Sequence, residues 1–460
     1  MDHTKRLGTA PLLPLIISFS LPSIISMLMN ALYNIFDRIF IGQFAGENAL
    51  GGLTISFPVM MVMFAIGGLF GMGGAALISI KFGEHDLDGA NKIFGNLAVL
   101  TVASSLVMMT LGQIFLPQLL TLVGATPASL PHAQEYMRII LLGLVFQLSS
   151  FTLAALVRTE GKPYFAMASQ LVAAGVNIVL DYLFIGVFGM GVQGAAIATV
   201  IGQFAGFAML AWHFFISKKS MLKLTAANLK LKLSIALNIF VIGGSTLVIN
   251  IGTSVSAAIM NIALITYGGD SAIAAMGAIG SMIVVVMMPI FGLQQGIGPI
   301  IGYNHGNKQP DRVKKAFWTG LWMSSAFAFA MFAVLAIIPH TIAELFFAPG
   351  SPTIEVFVQG LLLHASFLLL LPFTVMITAY FQSTAQGRKG LTLSISRQVI
   401  IIITVLVFPI FWDLPGVWLT GPAGEIFTVL LGFILLATRQ QGSAQTLLSR
   451  RRPAEKSMLP

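Results

Sequence analysis

The sequence predicts an all-α polytopic membrane protein: twelve transmembrane helices in two pseudo-symmetric six-helix lobes. Composition, periodicity and an internal repeat carry that reading. Of 460 residues, 57% are hydrophobic and only 9% charged, against roughly 45–50% and ~25% in a soluble domain. That balance argues against a soluble enzyme, a nucleic-acid binder or a disordered scaffold. Apolar stretches of the ~20 residues needed to cross a ~30 Å hydrocarbon core recur twelve times. None shows the period-2 alternation of a transmembrane barrel. With no cysteine, disulfides, thiol catalysis and Cys-bound metals are excluded.

In chain order, each stretch is bounded by charge, Gly or Pro. Span 1 (12–40) follows Lys5 and Arg6; it is longer than a secretory signal and no A-x-A site follows, so it is expected to be retained. Span 2 (49–80) starts after Gly46 and stops at Lys81, span 3 (91–118) opens after Asp88, and span 4 (132–158) ends at Arg158. Span 5 (164–188) begins behind Pro163, and span 6 (193–217) runs into the lysines of 218–232. Spans 7 (235–267) and 8 (271–303) are separated by Gly269-Asp270. Spans 9 (312–338), 10 (354–382), 11 (391–412) and 12 (416–437) follow, broken by Pro339, Arg388-Lys389 and Pro415.

All of the 25 Lys and Arg residues except Arg38 and Arg138 fall on one side: at the N terminus, in or around the even-numbered loops, or after the last span. The odd-numbered loops carry Glu47, Asp270, Glu344 and Asp413 without Lys or Arg. The positive-inside rule therefore puts both termini in the cytoplasm, in the cell inner (plasma) membrane. The net charge of +9 is a topology signal with some attraction to anionic lipid, not a mark of nucleic-acid binding.

The halves match at an offset of 223 residues: Gly46 with Gly269, Gly73 with Gly296, Gly83 with Gly306, Asp88 with Asp311 and Lys92 with Lys315. With small shifts, Gly161 pairs with Gly387 and Gly194 with Gly421. Six spans per repeat give parallel repeats about an axis along the membrane normal, an architecture of alternating-access transporters. The divisions are an N-terminal lobe (1–217), a cytoplasmic linker (218–234), a C-terminal lobe (235–438) and a basic tail (439–460).

An ionisable side chain at mid-helix costs roughly 2.5–3.5 kcal/mol on insertion, so the acids within spans are candidate functional residues. Asp37 and Asp181 both fall in outer halves, with Asn177 one turn from Asp181 and Thr199 at matching depth in span 6. Two carboxylates, an amide and a hydroxyl form a hard oxygen set for H⁺ or Na⁺; the alternative is an Asp37–Arg38 interfacial pair. Glu425 is either a second coupling residue or a buried glutamate bonded to a helix end near Pro422. Pro22 interrupts the span-1 hydrogen-bond ladder and marks a hinge. Asn30, Tyr33, Asn34, Gln147, Asn250 and Gln295, with the soft side chains of Met60 and Met63, are candidates for a substrate cavity, or for interhelical packing and hydrogen bonding. The glycines of 67–74 read as close helix packing. No Walker pattern is present, so no nucleotide or other cofactor is expected.

These features resemble the MATE (multidrug and toxic compound extrusion) family over essentially the full length. The resemblance rests on Pro22…Asn30…Tyr33…Asp37, Asn177-Ile-Val-Leu-Asp181, Thr199, Arg158-Thr-Glu-Gly-Lys-Pro163, and Gly416-Val-Trp…Gly421-Pro-Ala-Gly-Glu425. The N-terminal acid pair is similar to the branch containing DinF and MepA-like members. It implies a cation or proton site at Asp37, Asn177, Asp181 and Thr199, coupled to bending at Pro22. It further implies a monomeric antiporter, not an enzyme, that exports cationic or amphipathic compounds against H⁺ or Na⁺. Ser150 and Thr152 occupy the span-4 neighbourhood where many relatives carry asparagines. Ile242–Thr246 and Pro372–Met376 lack the acids of another branch, which puts coupling in the N-terminal lobe.

Three rivals carry weaker signals. A major-facilitator exporter shares the six-plus-six plan, but its basic loop between spans 2 and 3 is replaced by Lys81-Phe-Gly-Glu-His-Asp86. A lipid-linked precursor flippase would need a cationic central cavity, for which only Arg38 and Arg138 are expected inside the membrane. An intramembrane enzyme would need more than the isolated His213 and His364.

Overall fold

The computed structural model describes residues 4–44, 46–127, 129–217 and 219–438. The basic tail and Lys218 lie outside the described residues. Among those described there are helices and no strands. After a short α1 (Lys5–Thr9), the N-terminal lobe comprises α2 (Leu12–Phe44), α3 (Glu47–Gly83), α4 (Leu87–Leu122), α5 (Leu130–Leu142), α6 (Leu144–Thr159), α7 (Pro163–Asp181) and α8 (Gly191–Ala211). The C-terminal lobe comprises α9 (Leu233–Gly306), α10 (Pro310–Ile337), α11 (Pro339–Glu344), α12 (Thr353–His364), α13 (Leu371–Ser383), α14 (Gly387–Trp418) and α15 (Thr420–Ala437).

Ten helices are long and apolar enough to cross a membrane, and α5 with α6, bent 53° between them, make an eleventh crossing. The twelfth is hidden in α9. Its 74 residues would span roughly 110 Å if straight, but Gly269 (φ 63°, ψ −159°) reverses the chain. Only glycine adopts that backbone freely, and its repeat mate Gly46 does the same at φ 88°. The repeat extends to other turns: His85 pairs with Lys308, Gly161 with Ala385 and Gly189 with Asp413, all at positive φ. Gly161 therefore corresponds to Ala385, not Gly387, and an offset of 224 in the later spans replaces the Gly194–Gly421 match.

In lipid there is no hydrophobic drive between helices, so association depends on close packing at small residues. Among the contacts between the lobes, two are made twice. Gly83 lies on the Tyr303 carbonyl and Gly306 on the Ile80 carbonyl; Gly296 abuts Ser20 and Gly73 abuts Gly243. Adding 223 to one member of each set yields the other, as a two-fold axis along the bundle requires. All four contacts sit in the halves of α2, α3 and α9 nearest the basic loops. Toward the opposite end Leu28, Leu32, Phe57, Ile251 and Val255 are exposed. Gly306→Val would drive a side chain into the Ile80 backbone. Overpacking of that kind costs about 1–3 kcal/mol; we expect a lowered Tm in detergent, and an unchanged Tm would refute the contact.

Turn chemistry fixes the basic end. Asp86 caps α4, accepting from Gly89 N at 2.8 Å with Lys81 Nζ at 2.9 Å. Burial alone would raise its pKa, but these partners outweigh it and hold the carboxyl below its ordinary value. The connection between lobes is pinned to the N-terminal one. Glu160 accepts from Ser220 Oγ (2.5 Å) and Met221 N (2.8 Å), and Asn96 accepts from Lys232 N at 2.6 Å. His213 is not isolated: its Nε2 lies 2.7 Å from Glu160 Oε2. His364 Nδ1 sits 3.2 Å from the Trp418 carbonyl. Pro22 lies within α2, which continues as helix on both sides of it, so no break marks the expected hinge in this conformation.

Candidate ion and substrate site

Four helices of the N-terminal lobe present polar groups to one buried point. Asp37 comes from α2, Tyr136 from α5, Asn177 and Asp181 from the last turn of α7, and Thr199 from the middle of α8. Exposures of Asp37, Asn177 and Thr199 are 3%, and that of Asp181 is 0%. The Asp37 carboxylate stands against Asp181, Asn177 and Thr199, and Tyr136 against Thr199 and both acids. Asn177 Nδ2 donates to Thr199 Oγ1 at 3.4 Å. Small residues permit this convergence, since Gly202 of α8 lies against Asn177 and Ala173 of α7.

The site is short of donors. Asp37 Oδ1, Asn177 Oδ1 and both Asp181 carboxylate oxygens are buried without a hydrogen-bond partner. Ionised carboxylates only accept, and unsatisfied buried acceptors are costly. A shared proton or a bound cation between the two acids relieves both their like charge and their missing donors. Arg38 does not supply the charge: its guanidinium lies over the Phe57 ring, 5.5 Å from the centroid, and no Asp37–Arg38 ion pair forms among the described residues.

The other candidates divide. Asn34 and Met60 line a small cavity beside Asp37 with Arg38, Leu53, Phe57 and Tyr136. Asn30 and Tyr33 lie one turn away, with Asn34 Nδ2 donating to the Asn30 carbonyl at 2.6 Å. Gln295 crosses the lobe boundary to Met27 Sδ at 3.5 Å, and Asn250 donates back to the Thr246 carbonyl at 2.8 Å. Gln147 is buried with its Oε1 unpaired. Met63, 1% exposed in a packed cluster, lines no cavity here, because its helix face turns into the lobe core. Ser150 and Thr152 point elsewhere, to the Gln203 carbonyl (3.4 Å) and Thr101 (3.5 Å). The span-4 contribution comes instead from Tyr136, a lone phenol on a mixed polar and apolar helix that sequence reading passed over.

Glu425 is buried at 0% exposure, but neither expectation for it describes its partner. Arg397 Nε donates to its Oε1 at 2.8 Å and Thr374 Oγ1 to its Oε2 at 2.5 Å. Arg397, expected beside a cytoplasmic loop, lies ten residues into α14. Arg158 is also buried, at 7% exposure. The intramembrane cations are therefore not confined to Arg38 and Arg138: one is neutralised inside the C-terminal lobe and one faces the lobe boundary.

The MatE family model matches this chain twice, at residues 22–183 and 246–407, stretches that start within one residue of the internal offset. The multidrug export protein MepA of Staphylococcus haemolyticus is 27% identical over 430 residues, spanning 92% of this chain and 93% of that protein. MepA of Staphylococcus aureus strain MRSA252 is 26% identical over 411 residues, 89% of this chain and 90% of its own. Among solved structures, a MOP superfamily transporter from Pyrococcus furiosus superposes with a TM-score of 0.88 at 24% identity, over 94% of this chain and 97% of that one. A multidrug resistance MATE family transporter in an outward-facing conformation superposes at 0.85 and 25%, with the same coverage.

Proposed function

The chain belongs to the MatE family, and on that premise we propose that it is a secondary active exporter of small organic compounds, cationic or amphipathic, driven by inward H⁺ or Na⁺. The observation that carries the proposal is the convergence of Asp37 and Asp181 with four buried oxygens lacking donors. A carboxylate pair whose buried oxygens outnumber the donors around them is completed by a proton or a hard monovalent cation. The naming of the MepA relatives as multidrug export proteins supports the substrate class.

In this reading the protein acts as a monomer in the inner (plasma) membrane, with both termini and the basic loops in the cytoplasm. The lobes are then closed on the cytoplasmic side, and Asp37 is loaded from outside through the cavity beside Asn34 and Tyr136. Ion binding neutralises the acid pair and lets α2 and α7 pack closer. Pro22, which cannot donate to the Ser18 carbonyl, is where α2 yields most easily. Substrate held between the lobes is thereby displaced outward. Each charge moving down 100 mV supplies about 2.3 kcal/mol.

Purified protein in liposomes, loaded with a fluorescent organic cation and exposed to separate pH and Na⁺ gradients, tests the proposal. Efflux under one gradient and not the other names the ion. Folded protein that responds to neither gradient would refute coupled antiport.

A further inference from the structure

On the pseudo-two-fold axis, where the lobes close, lies a second cavity. Its walls are repeat mates: Met72 faces Gln295, Ala155 faces Ala379 and Arg158 faces Gln382, matched by offsets of 223 and 224 residues. The repeat is broken in one respect, because one wall carries a guanidinium where the other carries an amide. Arg158 is 93% buried, by its 7% exposure, and among the described residues no acid or carbonyl pairs with it. The nearby Glu160 is spent on His213, Ser220 and the backbone of 221–222. Gln382 Nε2 is turned away to Thr246 Oγ1 at 3.2 Å, and its Oε1 is unsatisfied.

A buried charge is stable only when paired or solvated. Arg397, the other guanidinium inside the bundle, has a glutamate. Arg158 has none, but it borders a space of about 20 Å³, enough for one water or small ion and too little for a drug-sized molecule. Amide and hydroxyl groups of Gln294, Gln295 and Ser383 share that lining and can donate to an anion. We propose that this axial cavity is a binding site for a single small anion of halide size, held by Arg158 between the lobes. Such an ion ties α6 to α9 and α13 across the axis and so favours the closed contact. The inference does not depend on the antiport reading, since it requires only binding at equilibrium.

The test uses the full chain in lipid nanodiscs and follows thermal unfolding. Replacing bulky gluconate by chloride at constant ionic strength should raise Tm saturably, because a ligand selective for the folded state stabilises it in proportion to the logarithm of its concentration. Arg158→Gln should abolish the anion-specific rise. Combining Arg158→Gln with Gln382→Arg, which moves the guanidinium to the opposite wall, should restore it. Equal Tm values for wild-type protein in gluconate and chloride would overturn the proposal, as would an anion-specific rise that survives in Arg158→Gln.

Discussion

Asp37→Asn and Asp181→Asn, made singly, are expected to yield folded protein whose efflux no longer follows an ion gradient. Either change leaves the shape of the side chain and one of its two oxygens. It also adds an amide donor to a cluster in which four oxygens have none, and it removes one of two like charges held at the same buried point. Tm should therefore stay level or rise. Transport should change far more: each coupled charge sustains about a fifty-fold accumulation ratio at 100 mV, and that ratio should collapse toward the passive value. Unchanged gradient-driven efflux in either variant would remove that residue from the coupling mechanism. Tyr136→Phe supplies an intermediate case, since it deletes one hydroxyl beside Thr199 and both acids without altering their charge.

Glu425→Leu is expected to produce the opposite phenotype. The carboxylate accepts from both Arg397 and Thr374 at full burial, so its removal strands a guanidinium inside the C-terminal lobe. Breaking one side of a buried pair costs about 3–5 kcal/mol, enough to depress expression and Tm. The double replacement Arg397→Met with Glu425→Leu removes both charges and should recover most of that loss, because a packed apolar pair is often as stable as a buried ion pair. Thermal unfolding in detergent across the two single variants and the double one measures the coupling. Additive losses would show that the two groups do not act as a pair. The contrast with Asp37 and Asp181 separates an acid locked to its own cation from acids left open for an external one.

Much of the fold was legible in the sequence, and so was part of the candidate site. Twelve crossings follow from apolar length, and Gly46 and Gly269 announce the repeat because each occupies a backbone conformation other residues avoid. Asp37 and Asp181 stand out because a carboxylate in a membrane helix is costly wherever it points. Met60 and Met63 looked alike, yet only Met60 borders a cavity. Three residues apart on one helix, they differ in direction by about 60°, and only packing decides which direction is core.

What the sequence determined by itself is whatever depends on one segment at a time: span number, positions of breaks, repeat offset and the depth of the acids Asp37 and Asp181. Tertiary structure alone decided which groups meet. It brought Tyr136 to the acids, sent Ser150 and Thr152 elsewhere, gave Glu425 a guanidinium and left Arg158 without a counter-charge. Insertion cost is a property of a helix in lipid, whereas pairing depends on the rotation and crossing of several helices. Those are set by contacts between segments far apart in the chain, such as Gly73 with Gly243 and Gly296 with Ser20, and no local pattern encodes them.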